Sequence, residues 1–313
     1  MITLIQAAIL GLLQGITELF PISSLGHSVI LPKLFGWNLD QGSPVFLGLL
    51  ISTHLATAVV LFLFFIKDWI KVFQGLGRSI RDRKISPDDV YAKLGWLLII
   101  ATIPAGILGL VLEKPIRSLF ASPLVAAGFL IVNGLILFTA ERLRSRPKRV
   151  LTAAGATPAN ASPHSHSPVP ALPDTESRDE QSDTSISRLT WRQALGIGTA
   201  QAAALIPGIS RSGSSMVGGL LSGLDNETAA RFSFLLATPI IGAAAVLKLP
   251  GLFSPEMVDE RGAFLVGALC SGVAAWFATK FLMRFFETRT LKPFAIYCIV
   301  AGVIFSALLL LVP

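Results

Sequence analysis

An arginine stands among hydroxyls and glycines in Pro207-Gly-Ile-Ser-Arg-Ser-Gly-Ser-Ser215, between segments that are otherwise apolar. A guanidinium within a membrane-spanning region costs about 3 kcal/mol on insertion scales, so a chain that keeps one there usually keeps it for a site. A second polar island, Gln14-Gly-Ile-Thr-Glu-Leu-Phe-Pro-Ile-Ser-Ser-Leu-Gly-His27, lies near the other end of the chain. The chemistry these residue types share is capture of an anion. Arg211 offers parallel N–H donors that match phosphate, Ser210, Ser212, Ser214 and Ser215 add hydroxyls, and Gly208 and Gly213 let backbone approach closely. A helix beginning after such a turn draws the same charge to its N-terminus. So many donors favour phosphate over carboxylate.

In the first island Gln14 and Glu18, four apart, share one helix face. Ser23 and His27 share another if a second helix begins at Pro21 or Ile22. Glu18 reads as a proton carrier or as a structural partner for a serine or backbone group. Arg211 reads as an anion clamp or as the salt-bridge partner of Glu18. His27, three residues after Ser24, is an acid–base candidate, with a core histidine bonded to a backbone carbonyl as the plainer reading. His54, in Ser-Thr-His-Leu-Ala, has no carboxylate near it in the chain and reads as a hydrogen bonder in helix packing.

These islands need helices to position them, and composition says which kind. Of 313 residues 52% are hydrophobic and 14% charged, with a mean hydropathy of +0.67. That places the chain among polytopic membrane proteins. Apolar runs near 43–66, 94–112, 121–140, 228–249, 262–283 and 293–312 are each close to the ~20 residues a spanning helix needs. The net charge of +7 does not indicate nucleic acid, because the basic residues concentrate in loops at 67–93 and 142–149. The positive-inside rule puts both loops in the cytoplasm and the acidic loop at 250–261 outside. Trp37, Trp69, Trp96, Trp191 and Trp276 fall mostly near helix ends, as interfacial anchors do. Cys270 and Cys298 lie within apolar helices and read as packing residues. No Lys or Arg precedes Lys33, so the N-terminus reads as mature structure rather than a signal peptide.

Residues 143–190 are rich in Pro, Ser, Ala and Thr, end in acidic residues, and read as a disordered cytoplasmic linker between two membrane halves, 1–142 and 191–313. The halves echo each other: Pro21 aligns with Pro207, Ser23 with Ser210 and Gly26 with Gly213, and Ala101-Thr-Ile-Pro104 with Ala237-Thr-Pro239. Each island sits between two short apolar segments, about 2–37 and 194–224 in all, the pattern of a re-entrant hairpin. Three spans separate the hairpins, so they enter from opposite sides. The fold expected is an all-α polytopic membrane protein of about six transmembrane helices with two re-entrant helical hairpins as an inverted repeat, its site near the midplane.

Both islands resemble the undecaprenyl-diphosphate phosphatases, the bacitracin-resistance membrane phosphatases of bacteria. The first matches that family's Glu/Gln-x-x-x-Glu pattern at Gln14 and Glu18, then Pro-x-Ser-Ser-x-Gly-His at 21–27. The second matches Pro-Gly-x-Ser-Arg-Ser-Gly at 207–213. Segments at 231–240 and 103–109 also look like segments of that family, and the resemblance omits only 143–190. It implies hydrolysis of undecaprenyl diphosphate to undecaprenyl phosphate and inorganic phosphate, which recycles the lipid carrier for peptidoglycan, at a site opening to the outer face of the cytoplasmic membrane. It also implies a divalent cation, Mg²⁺ or Ca²⁺, with Glu18 and Gln14 as ligands. Carried over, Arg211 clamps the diphosphate, and Ser23, Gly208, Ser210, Ser212, Gly213 and Ser215 hold phosphate oxygens. Ser24 is the first choice as nucleophile, with Glu18 or His27 taking its proton; His27 or water as nucleophile is the rival.

The chain departs from the family at two places. Gln14 stands where many members have Glu, which weakens a two-carboxylate metal site. Ser214-Ser215 replaces a common Ala-Thr and keeps the terminal hydroxyl. The implied partners are the lipid substrate and the bilayer, not nucleic acid, with a homodimer left open. A transporter would share the topology, and so would an idle phospholipid-binding protein. Neither has use for Ser24, His27 and Glu18 beside a phosphate clamp.

Overall fold

The computed structural model describes residues 2–120, 122–144 and 175–311, and among them every regular element is helical. The first half holds α1 (Leu4–Thr17), α2 (Ser24–Leu34), α3 (Pro44–Phe64), α4 (Ile66–Arg81), α5 (Val90–Phe120) and α6 (Pro123–Arg144). Then come α7 (Thr175–Ser187), α8 (Trp191–Ala202), α9 (Arg211–Leu221), α10 (Asn226–Leu252), α11 (Arg261–Phe286) and α12 (Lys292–Leu311). Among the described residues six helical stretches are long and apolar enough to cross a bilayer: Pro44–Phe64, Val90–Leu112, Pro123–Arg144, Asn226–Leu252, Pro255–Phe286 and Lys292–Leu311. They match the six apolar runs. The protein is a multi-pass membrane protein, and large side chains such as Leu63, Ile107, Leu269 and Phe277 point outward as lipid-facing residues must.

The short helices are started by local chemistry. Thr3 caps α1 by accepting from the Gln6 amide while the Gln6 side chain returns to Thr3, and Thr190 and Gln193 do the same for α8. The likeness continues along both helices: Thr3, Gln6, Ala7, Gly11 and Gln14 recur at constant spacing as Thr190, Gln193, Ala194, Gly198 and Gln201. These recurrences strengthen the echo between halves.

Contacts repeat as well. Helix α1 packs on α11, and its counterpart α8 packs on α5, while α3 meets α10 and α6 meets α12. Exchanging the halves therefore maps these pairings onto themselves. Close approach is permitted by missing side chains: a Cβ on Gly11 would overlap the backbone of Gly267, and one on Gly198 that of Ala101.

Helix α4 carries three stripes. Trp69, Val72, Gly75 and Ser79 are buried, Ile70, Phe73 and Ile80 are exposed, and Lys67, Lys71, Arg78 and Arg81 form a basic row beside them. A helix so divided suits the surface of a bilayer.

One expectation needs correction. The acidic end of the stretch read as a disordered linker is helix α7, which docks on α5 and α10. Ile186 and Leu189 are buried in the main core, and the Asp183 carboxylate lies 3.1 Å from the guanidinium of Arg231. Arg231 is only 1% exposed and also reaches Asp68 at 2.7 Å. A buried guanidinium needs such partners, and that demand, coming from a helix distant in sequence, orders a segment whose composition looks solvated. The rest of that stretch, 145–174, lies outside the described residues.

The glycine crossings are testable. Gly11→Ala and Gly198→Ala should each destabilise the protein by about 1–3 kcal/mol through overpacking. Gly196→Ala, on the same helix as Gly198 but facing open space, should be neutral or mildly stabilising. Thermal unfolding midpoints in detergent would separate the two classes.

Candidate active site

The two polar islands become two turns that meet. In the first, α1 ends at Thr17, Glu18 caps it, and the chain turns through Leu19–Ser23 into α2. In the second, the chain leaves α8 by a short turn at Ala203–Leu205 and enters α9 at Arg211, with Ser210 as cap accepting from the Gly213 amide. Gly26 faces Gly208, where a Cβ would lie 3.1 Å from the Gly208 Cα. Gly208 has a φ of +99°, a conformation that suits glycine, and a side chain there would strike the backbone of Ala126.

Asn133 of α6 joins the turns. Its Nδ2 donates to the Pro21 carbonyl at 2.9 Å, and its Oδ1 accepts from the Ser210 amide at 3.0 Å. A single buried amide thus satisfies one orphan backbone group in each turn. Sequence reasoning passed over it, although an amide in the apolar stretch of α6 is itself a signal.

Glu18 is the centre of the site and is buried. Its Oε1 accepts from Arg211 Nε at 3.2 Å and Nη2 at 3.1 Å. Its Oε2 accepts from Ser24 Oγ at 2.6 Å and from Gln14 Nε2 at 2.9 Å. One carboxylate therefore touches the expected nucleophile, the expected clamp and its own helix neighbour. Ser24 is the first residue of α2, and the residue before it, Ser23, is held at φ +66° and ψ +99°. Such a backbone costs about 1–3 kcal/mol in a residue with a side chain and commonly marks a functional turn.

His54 corrects the sequence reading. It was expected to lack a carboxylate, yet its Nε2 lies 3.4 Å from Glu18 Oε2, while its Nδ1 bonds the Leu50 carbonyl at 2.7 Å. The partner comes from another helix, so a search along the chain misses it. The signal was the histidine itself, since a titratable group inside an apolar span needs a partner somewhere.

His27 follows the plainer of its two readings. Nδ1 is 2.7 Å from the Ser23 carbonyl and Nε2 is 2.8 Å from the Tyr297 hydroxyl, so both ring nitrogens are engaged away from Ser24 Oγ.

The serines of the second island do less for an anion than their types suggest. Ser212 Oγ donates to the Phe20 carbonyl at 3.2 Å and lies 3.0 Å from Ser210 Oγ. Ser215 Oγ bonds the Arg211 carbonyl at 2.9 Å and lies 2.6 Å from Ser233 Oγ. In apolar surroundings a hydroxyl must find a partner, and these find backbone and one another. They lock the turns together. Gly213 is also interior, with Pro21 and Leu137 close above its Cα. Around Glu18, Arg211 Nη1 and Gln14 Oε1 are buried atoms without a hydrogen-bond partner, so they are candidates to meet a ligand. The first is a cationic donor and the second a neutral acceptor.

The family model of the bacitracin resistance protein BacA matches residues 7–304. The chain belongs to this family. Among its relatives are "Undecaprenyl-diphosphatase 2" of Frankia alni, 44% identical over 96% of each chain, and "Undecaprenyl-diphosphatase" of Mycolicibacterium paratuberculosis, 44% identical over 95% of this chain and 94% of the other. The protein of that name from Granulibacter bethesdensis is also 44% identical, with the same coverage.

For a cation the site offers little of its own. Among the described residues no three His, Cys, Asp or Glu side chains cluster as a metal site. Gln14 Oε1 is an open oxygen, and Glu18 lies beside it with both oxygens already accepting hydrogen bonds. That fits a hard cation which brings most of its ligands with it, as Mg²⁺ does when carried on phosphates.

The strap at Asn133 yields a prediction. Asn133→Leu leaves the Pro21 carbonyl and the Ser210 amide without their partner, which should cost about 1–3 kcal/mol for each group. Thermal unfolding in detergent measures it, and an unchanged midpoint would mean that the two turns hold together without the amide.

Proposed function

We propose that this protein hydrolyses undecaprenyl diphosphate to undecaprenyl phosphate and inorganic phosphate. The observation that carries the reading is the 2.6 Å hydrogen bond from Ser24 Oγ to Glu18 Oε2, beside an arginine with a donor to spare. The relatives named as undecaprenyl-diphosphatases support the substrate. The activity recycles the lipid carrier of peptidoglycan, and bacitracin resistance is the family's role.

Ser24 attacks the terminal phosphorus, and Glu18 takes the hydroxyl proton as the P–O bond to undecaprenyl phosphate breaks. Arg211 Nη1 binds a phosphoryl oxygen and offsets charge that develops in the transition state. The α9 N-terminus adds its dipole at the same point. Water then attacks the phosphoserine, and the proton returned by Glu18 restores Ser24 as phosphate leaves. His27 holds the turn rather than carrying a proton, since both its nitrogens are engaged elsewhere. A divalent cation, Mg²⁺ or Ca²⁺, would be held by the diphosphate together with Gln14 and Glu18 and would offset the substrate's charge.

The membrane is the bacterial cytoplasmic membrane, and the site opens to its outer face. The basic residues of 67–93 and at Arg142 and Arg144 support a cytoplasmic location for the ends they occupy. The exchange-symmetric packing of the halves supports an inverted repeat with re-entrant hairpins. A carrier of phosphorylated lipids would share this frame. The serine–carboxylate bond favours hydrolysis, because a carrier needs no activated hydroxyl.

Purified protein in detergent with Mg²⁺ or Ca²⁺ should release phosphate from undecaprenyl diphosphate. Arg211→Ala should lower kcat/KM by about 10²–10³-fold. Ser24→Ala should abolish release and also the phosphoserine detected by mass spectrometry in quenched wild-type enzyme. Turnover by Ser24→Ala near the wild-type rate would remove serine as nucleophile, and wild-type protein that binds the lipid without releasing phosphate would favour a carrier.

A further inference from the structure

The turn that presents Ser24 is held from outside its own half of the chain. Ser23 has a positive φ, an unfavourable backbone for serine, and its carbonyl is the acceptor for His27 Nδ1 at 2.7 Å. A carbonyl only accepts, so the hydrogen of a neutral His27 ring sits on Nδ1. Nε2 then carries a lone pair, and the group that meets it is the Tyr297 hydroxyl at 2.8 Å, which must be the donor. The two rings lie nearly parallel, 14° apart with centroids at 5.8 Å, and Phe305 closes the edge of His27. The wire runs Tyr297 to His27 to the Ser23 carbonyl, and its last bond fixes the peptide immediately before the nucleophile.

We infer that Tyr297 is a positioning residue for phosphate-ester hydrolysis, acting through His27 to hold the Ser23 turn in the conformation that aims Ser24 Oγ at Glu18. This rests on the hydrolytic reading of the site given above. Tyr297 touches neither the carboxylate nor the nucleophile. It belongs to α12, at the far end of the chain, and the next residue grips the same turn: Cys298 Sγ lies 3.8 Å from the Pro21 carbonyl and 3.3 Å from Asn133 Nδ2. The last helix is therefore joined to the Ser23–Ser24 turn at two successive residues. A histidine serving as proton carrier would need a nitrogen free to face the reacting groups. Here the nitrogen opposite Ser23 is filled by a phenol, a poor base and a good fixed donor.

Tyr297 is 41% exposed, so Tyr297→Phe removes one hydroxyl without emptying a core position. With undecaprenyl diphosphate as substrate, Tyr297→Phe should lower kcat by about ten- to a hundredfold through misplacement of the nucleophile, with KM little changed. The thermal midpoint should fall only modestly, because one buried acceptor on His27 loses its donor, and the variant should remain folded at the assay temperature. Because the effect passes through His27, adding Tyr297→Phe to His27→Asn should cause no further loss. Wild-type kcat in Tyr297→Phe would overturn the inference, and so would losses that multiply in the double variant or a kcat that returns to the wild-type value when the variant is assayed well below its midpoint. Failure of the wild-type enzyme to release phosphate would instead overturn the hydrolytic reading itself, so the two failures are distinct.

Discussion

The buried pairing of Glu18 with Arg211 is the constraint on which the rest of the site depends. Each charge sits at the less favourable end of its helix. Glu18 caps the C-terminus of α1, where the dipole is negative, and Arg211 opens α9, where it is positive. Neither could be left unpaired in apolar surroundings without a penalty of several kcal/mol. Their contact spans 193 positions of the chain, so it forms only when both halves are folded and docked. A dianionic ligand changes that balance. It gains from the α9 N-terminus and from Arg211 at once, and the donor left over at Arg211 Nη1 is already in place. The pair is a structural tie that has been left one partner short.

Everything around the pair reduces the freedom of the turns that carry it. Glycines at the α1–α11 and α8–α5 crossings let the backbones of these helices approach closely. Asn133 then bonds one backbone group in each turn, and the Ser212 hydroxyl crosses from the second turn to the Phe20 carbonyl of the first. Hydroxyls and amides that would be ordinary in water become cross-links here, because lipid offers them no alternative partner. His54 belongs to the same economy of partners: its approach to Glu18 gives the carboxylate a contact from α3 in addition to those from α1, α2 and α9. Catalytic placement and stability share the same bonds.

Much of this was legible in the sequence. Six apolar runs gave six spanning helices, because a membrane sets helix length directly. The meeting of Glu18, Ser24 and Arg211 was legible because charges and hydroxyls inside apolar segments stand out. What escaped was whatever depended on partners brought by tertiary packing. His54 looked isolated because its carboxylate lies on another helix, and Asn133 was passed over because the two backbone groups it joins lie in turns far from it in the chain. Ser210, Ser212 and Ser215 were read as phosphate ligands from their type, but their hydroxyls are taken up by backbone and one another. Helix α7 was missed for a related reason: its acidic composition suggests solvent, whereas the buried Arg231 draws Asp183 inside. Residue types indicated the chemistry, and packing decided which atoms remained free to perform it.

The central claim is that Glu18 and Ser24 act as one unit, the carboxylate taking the proton of the hydroxyl it touches. The most direct measurement is phosphate release by Glu18→Gln, Ser24→Ala and the double variant, each compared with wild type under single-turnover conditions. If the two act together, Glu18→Gln loses about 10²–10⁴-fold in rate, and the double variant is no slower than the worse of the single ones. Losses that multiply in the double variant, or a Glu18→Gln enzyme that keeps the wild-type rate, would contradict the account and assign the proton to another group.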